Sequence, residues 1–166
     1  MTIHSSHPFP TPSDPARRFR GRVGGGVTLW TAGTGADEAG LTVSSLMVAL
    51  GEEPCVLALL DPDADLLEVL RETGRGVVVP LRWEDRGLAE AFAGTAPAPG
   101  GPFRQATWTP TDYGPRLATA TTWAGVELVE ERPVGWSVEV RARLAHLEIG
   151  EESDLLLHHR GRFHRL

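Results

Sequence analysis

The apolar residues of this chain come in short runs, each closed by glycine, proline or acidic residues. Cys55–Leu60 is among the longest, far too short to span a bilayer and short even for a helix. Runs of this length, rich in β-branched residues and tryptophan, fit strands. The segments "GVTLWTAG", "LTVSSLMVAL", "CVLALL" and "GVVVPL" read this way, the third as a buried strand. Pro80 belongs near a strand end or on an edge, because it has no N–H for a ladder. The turn "TGADEAG" predicts a hairpin between the first two segments. Further on, "QATWTPTDYGPRLA" holds short extended pieces. The stretches "TWAGVELVEERPVG" and "WSVEVRARLAHLEIG" alternate Val or Leu with charged residues, as an antiparallel pair does, and "LLLHHRGRFHRL" is a final strand or hook.

Helical spacing is confined to short pieces. "DPDADLLEVLRETGRG" predicts a helix over 63–73 with Leu66, Leu67 and Leu70 as its apolar stripe. Asp61 or Asp63 can cap its start, Pro62 suits its first turn, and Gly74 suits its C-terminal end. "EDRGLAEAFAG" predicts another helix, with Leu88, Ala91 and Phe92 inward, and "PARRFRGR" a short third. No internal repeat is present. The fold class is mainly β (α+β): many local hairpins and few helices point to a closed or split β-barrel, not to a βαβ sheet. Residues 1–15, rich in Pro, Ser and Thr, read as a flexible arm, and residues 16–166 as one domain.

Cys55 is the only cysteine, which excludes an internal disulfide and favours a cytoplasmic setting. The N-terminus lacks the apolar stretch of a signal peptide, and no membrane partner is expected. The net charge of −6 argues against a general nucleic-acid binder. All 16 basic residues are arginine, so lysine chemistry such as a Schiff base or a Walker A loop is excluded. Charge is nevertheless clustered. Arg17, Arg18, Arg20 and Arg22 form one basic group, and His158, His159, Arg160, Arg162, His164 and Arg165 another. Two such groups on an acidic protein are either solvated runs or an anionic ligand site.

Several tempting motifs fail on spacing or context. "GRVGGG" and "GTGADEAG" do not fit a dinucleotide loop, because Glu38 stands where the last glycine belongs and the segment joins two strands. Ser44 and Ser45 lie in no nucleophile elbow. His158 and His159 are adjacent and so point to opposite faces of a strand, while His146 and His164 are isolated; no metal site is expected. The five tryptophans read first as core or interface, with one or two available to stack on a flat ligand. The segment "GLTVSSLMVAL" is the exception to ordinary patterning. Leu41 and Val43 share one face, but Ser45 then falls on that face and the alternation slips. A bulged strand with local hydroxyl-to-backbone bonds is one explanation.

That segment, followed by "EEPCVLALLDPDADLLEVLRETGRGVVVPL", resembles the flavin reductase-like, FMN-binding split-barrel family, whose members carry a strand of the form Gly-Met-Thr-Ala-Ser-Ser. The likeness runs without gaps from Gly40 to Leu81 and continues through "LAEAFAG", "PFR" and "HHRGRF". It implies a split β-barrel of the FMN-binding type with a few short helices. It implies that Thr42, Ser44 and Ser45, with backbone such as that of Val43, line the polar edge of an isoalloxazine ring. Leu60, Asp61, Pro62 and the turn to Asp65 would follow the ribityl–phosphate tail, with Arg82, Arg104 or Arg160 meeting the phosphate. His159 and Arg160 would contact the nicotinamide or phosphate side. The implied activity is NAD(P)H-dependent reduction of FMN or FAD, with NADH or NADPH as co-substrate, in a homodimer that passes reduced flavin to a monooxygenase. The alternative is an FMN-binding module without pyridine-nucleotide activity. Three departures bear on that choice. Ala64 and Asp65 replace the Ser or Thr of related turns, Val79-Pro80 stands where the asparagine of "V-N-V-L" is expected, and Gly135-Trp136-Ser137 replaces Gly-Asp-His.

Overall fold

In a computed structural model, residues 14–151 and 153–166 are described. The arm expected over residues 1–15 therefore lies, apart from Asp14 and Pro15, outside the described residues. Helix α1 (Pro15–Arg22) starts where Asp14 accepts a hydrogen bond from the Ala16 N–H at 2.9 Å. It leads into β1 (Gly25–Gly26) and β2 (Thr28–Ala32). Strands β3 (Ala39–Val43), β4 (Leu46–Ala49) and β5 (Cys55–Leu60) follow, then α2 (Asp65–Thr73), β6 (Arg75–Pro80) and α3 (Arg86–Ala93). The chain continues through β7 (Trp108–Thr111), β8 (Gly114–Leu117), β9 (Trp123–Val134), β10 (Ser137–Glu148), β11 (Leu156–His159) and β12 (Arg162–Arg165).

Seven of these strands make one antiparallel sheet in the order β3-β2-β6-β9-β10-β5-β4. Its two outermost strands, β3 and β4, are consecutive in the chain and separated only by Ser44 and Ser45. A flat sheet cannot place consecutive strands at opposite edges with a two-residue link. The sheet therefore curls until its edges meet at that corner, and the fold is a split β-barrel. The hairpin expected between "GVTLWTAG" and "LTVSSLMVAL" forms only as far as Val43. Met47 and its neighbours pair with β5 instead, so the expected single strand is two.

Inside the barrel Trp30, Leu41, Val43, Val56, Leu60, Val126 and Val140 form the core, closed on one side by Leu66, Leu67 and Leu70 of α2. Gly74 ends that helix at φ 67°, with its N–H bonded to the Leu70 carbonyl, as expected. The helix start differs from expectation. Ala64 occupies the cap position without a side-chain bond, and the Asp61 carboxylate is spent on the turn before it. There the Asp61 carboxylate accepts the Asp63 N–H at 3.0 Å. Strand β5 also corrects the idea of full burial: Val56, Ala58 and Leu60 face the core, whereas Leu59 is 41% exposed.

Helix α3 covers a second cluster around Leu29, Val77, Val79 and Trp123 through Ala89 and Phe92, with Leu88 half-buried beside them. It comes so close to β3 that a Cβ on Gly40 would lie 2.5 Å from the Phe92 ring. Gly40→Ala should therefore destabilise the chain by about 1–3 kcal/mol through overpacking, read as a lower urea midpoint at unchanged slope.

Candidate functional site

The hydroxyls of the corner satisfy the backbone of distant elements, not of their own strand. Thr42 donates to the Ala89 carbonyl of α3 at 2.7 Å. Ser45 donates to the Leu59 carbonyl at 2.8 Å, and the Leu59 N–H returns a bond to the Ser45 carbonyl at 3.1 Å. Thr28 reaches the Val43 carbonyl at 2.8 Å. The local bonds that a simple bulge predicts are replaced by these long-range ones. Each donating hydroxyl keeps lone pairs that can accept from a ligand. Ser44 is exposed, and its hydroxyl makes no hydrogen bond among the described residues. Val43 points into the core, so only its backbone can serve a ligand.

The glycine run stands against this corner. A Cβ on Gly25 would come within 2.9 Å of the Ser44 carbonyl oxygen, so only glycine permits the approach. Strand β1 pairs with β11 through Gly25 opposite His158 and Gly26 opposite Leu157. Strand β11 pairs in turn with β12, Leu157 opposite His164. The result is an open cavity of about 510 Å³ lined by Gly24, Gly25, Gly26, Leu157, His159 and His164. The His159 and His164 rings lie 5.9 Å apart. His158 points the other way and meets Phe163 edge-on at 5.7 Å, as strand alternation requires. Arg160, at the hairpin tip with φ 53°, donates its backbone N–H to the Gly21 carbonyl at 2.7 Å. The two basic clusters, which open and close the described chain, thus meet.

The end of β5 lies beside the same corner. Leu60 is buried and pairs with Val138, which brings the tip of the β9–β10 hairpin, Gly135 and Trp136, next to the turn that begins at Asp61. Trp136 is 58% exposed there. Asp61 is half-buried, whereas Pro62, Asp63 and Asp65 are exposed, so the turn presents carboxylates. The arginines expected to offset them sit elsewhere in the fold. Arg82 follows β6, where it pairs with Glu84 and with Asp85 and its backbone bridges Leu155. Arg104 is exposed on a 3₁₀ turn, Pro102–Gln105, whose Phe103 packs edge-on against Phe92 of α3 at 4.9 Å. Of the residues named from the sequence, the structure gathers Thr42, Val43, Ser44, Ser45, Leu60 and Asp61 at the corner and the β5 end. His159 and Arg160 lie across the glycine run. Sequence reasoning missed Gly24–Gly26 and His164. Their signal was a triple glycine directly before a strand and a histidine that hairpin register sets opposite Leu157.

Among the described residues no helix is long and apolar enough to cross a membrane. The family described as "Flavin reductase like domain" matches residues 20–166. The chain matches none of the curated proteins. Among solved structures it is similar to SgcE6, an NADH:FAD oxidoreductase of Streptomyces globisporus C-1027 described in complex with NAD and FAD fragments. That likeness has 22% identity and a TM-score of 0.82, covering 94% of each chain. It is also similar to the styrene monooxygenase flavin reductase SMOB of Pseudomonas putida S12, with 23% identity and a TM-score of 0.79, over 91% of this chain and 96% of that one. BorF, the flavin reductase component of a bacterial two-component tryptophan halogenase, shares 24% identity at a TM-score of 0.79, over 91% and 96%.

Electrostatics on the other face of β11 carry a pH signature. Burial holds the His158 imidazole below its ordinary pKa, and Arg20, His164 and His159 act in the same direction. The unfolded chain therefore binds this proton more readily than the folded one, so stability is complete above the free imidazole range and falls as pH drops through about 6.5. The carboxyls of Glu139 and Asp154, held down by hydrogen bonds from Arg132 and Arg165, lose their contribution only at lower pH. Melting temperature should thus decline between pH 7.5 and 5.5, and His158→Gln should flatten that decline. A wild-type melting temperature that stays level over this range would contradict the burial argument.

Proposed function

Because the chain belongs to the flavin reductase-like family and is an oxidoreductase of the flavin reductase type, we propose that it uses NADH or NADPH to reduce FMN, or FAD, and releases the reduced flavin to a monooxygenase component. One observation supports this placement of the flavin: the chain passes from β3 to β4, the two sheet edges, through a pair of serines, open to solvent, beside a glycine run and the end of β5. The isoalloxazine edge alternates carbonyls and ring nitrogens. Short hydroxyls meet both without steric bulk, which suits Ser44, Ser45 and Thr42, with the Val43 backbone alongside. Leu60 and Asp61 offer backbone at the β5 end, and Pro62 and Asp65 continue the path of the ribityl chain. Arg82 would reach a phosphate only by leaving Glu84 and Asp85, and Arg104 stands exposed on the Pro102–Gln105 turn. His159 and Arg160 sit on the hydride-donor side.

A bound flavin accepts hydride from a nicotinamide and hands electrons onward; the protein's task is position and hydrogen bonding. No side chain need act as acid or base. A homodimer and a cytoplasmic setting belong to the same proposal. The edge strand β4 leaves Met47 and Val48 exposed on its two faces, with Leu50 just beyond it and Leu59 of β5 also exposed, an unpaired apolar edge of the kind that a second copy covers. Gly135-Trp136-Ser137 favours a second reading. Trp136, exposed beside the β5 end, is large enough to cover a flavin face, which would leave a flavin-binding module without turnover.

An anaerobic visible spectrum with FMN or FAD, taken before and after NADH or NADPH, separates these readings. Rapid bleaching of a perturbed flavin band is the expected result. A perturbed band that stays yellow with both nucleotides selects the binding module, and an unperturbed band removes flavin altogether. Replacing both serines, Ser44→Leu with Ser45→Leu, should weaken flavin binding at least a hundredfold; retained affinity would place the ring elsewhere.

A further inference from the structure

The corner and the β5 end leave without a role the junction where the chain enters its last hairpin. Asp154 stands there at φ 59°, a left-handed conformation that few residues other than glycine, asparagine and aspartate adopt readily. Connections from separate elements meet on it. Its carbonyl accepts the Trp83 N–H at 2.7 Å, which ties it to the segment that follows β6. Its carboxylate receives the Arg165 guanidinium as a fork, Nε at 2.7 Å and Nη2 at 2.5 Å. Leu155, next in the chain, bridges Arg82, and its carbonyl accepts the Leu166 N–H at 3.1 Å. Leu156 then locks the start of β11 into the core. It is buried, its N–H bonds the Leu81 carbonyl and its carbonyl takes the Val27 N–H, each at 2.9 Å.

These bonds fix β11 more firmly than β12. Strand β12 is four residues long and forms an edge of its three-stranded sheet, paired with β11 alone. Short edge strands of this kind open first. At the hairpin tip a two-residue turn, Arg160 at φ 53° and Gly161 at φ 76°, sets the register. At the open end Arg165 pairs opposite Leu156, and its fork to Asp154 closes the ladder. An exposed ion pair ordinarily contributes little, but the two-nitrogen fork is the favourable geometry. Arg165 also holds the Asp154 carboxyl below its ordinary range, so the fork stays charged on both sides at neutral pH. Between turn and fork lies His164, whose imidazole lines the cavity 5.9 Å from that of His159. A slip of β12 by one residue would turn His164 to the opposite face.

We propose that Asp154 is a positioning residue: through Arg165 it holds β12 in register and keeps His164 beside His159 on the hydride-donor side. The proposal rests on the flavin reductase reading and deepens it, since Asp154 acts through the hairpin and not on the reacting atoms.

The test compares Asp154→Asn, which suits the positive φ and removes the charge, with Arg165→Gln and with the two together. Hydrogen exchange, the nuclear Overhauser contact between the His159 and His164 rings, and steady-state kinetics are read on each. In every variant the Leu166 amide and those of β12 should exchange at least tenfold faster, with β9 and β10 unchanged. The His159–His164 contact should be lost. KM for NADH or NADPH should rise at least fivefold with kcat within twofold, and FMN affinity should stay within twofold. Because the two residues act as one unit, the double variant should match either single one. Exchange at wild-type rates overturns the proposal, and so do additive effects in the double variant. Faster exchange with the ring contact and KM unmoved also overturns it, because the fork would then be a structural tie only. A wild-type protein that reduces no flavin with either nucleotide removes the reductase reading; exchange and the ring contact then still decide whether Asp154 holds His164 in place.

Discussion

The structure depends on a two-residue crossing. Ser44 and Ser45 carry the chain from one edge of a seven-stranded sheet to the other, and so short a link forces the sheet to curl. Curling alone would leave unpaired backbone at the seam, where buried or half-buried polar groups are costly. The hydroxyls of Thr28, Thr42 and Ser45, bonded to Val43, Ala89 and Leu59, supply partners there. The seam is thus a polar corner on an otherwise apolar barrel. The residues that let the sheet close are also the ones proposed to hold the flavin ring.

Around the corner the elements arrange charge with opposite sign on two sides. The α1 and β11–β12 side gathers arginines and histidines, and the β5–α2 turn gathers carboxylates. Neither group is close in sequence to the other. The corner is thus flanked by surroundings of opposite charge. The glycine run contributes by what it lacks. With no Cβ at Gly25, β1 can lie against the Ser44 carbonyl, and the cavity behind it opens directly beside the corner.

Much of this was legible in the residues. The strand pattern, the β9–β10 pair, the leucine stripe of α2 and the role of Gly74 follow from periodicity and from backbone preferences that act locally. The slip of phase at Ser45 was legible as an anomaly, and resemblance connected it to flavin. Its structural cause was not legible, because a strand that stops and a strand that changes edge look the same over ten residues. The helix start was misread for a related reason. Asp61 has the side chain of a cap, but it is used one turn earlier, by the Asp63 N–H. Arg82 and Arg104 were plausible phosphate ligands by residue type alone, whereas the structure pairs Arg82 with Glu84 and Asp85 and puts Arg104 on an exposed 3₁₀ turn.

The sequence by itself determined the class of the fold, the hydroxyl segment on which the family likeness rests, and the two patches of basic residues, since composition and short-range periodicity act through nearest neighbours along the chain. Only the tertiary structure decided that the hydroxyls mark a seam, that Gly25 must be small because the Ser44 carbonyl lies against it, and that the basic patches meet where the Arg160 N–H bonds the Gly21 carbonyl. Those outcomes depend on strand order and register, which arise from the collective packing of residues far apart in the chain and have no signature in any short window.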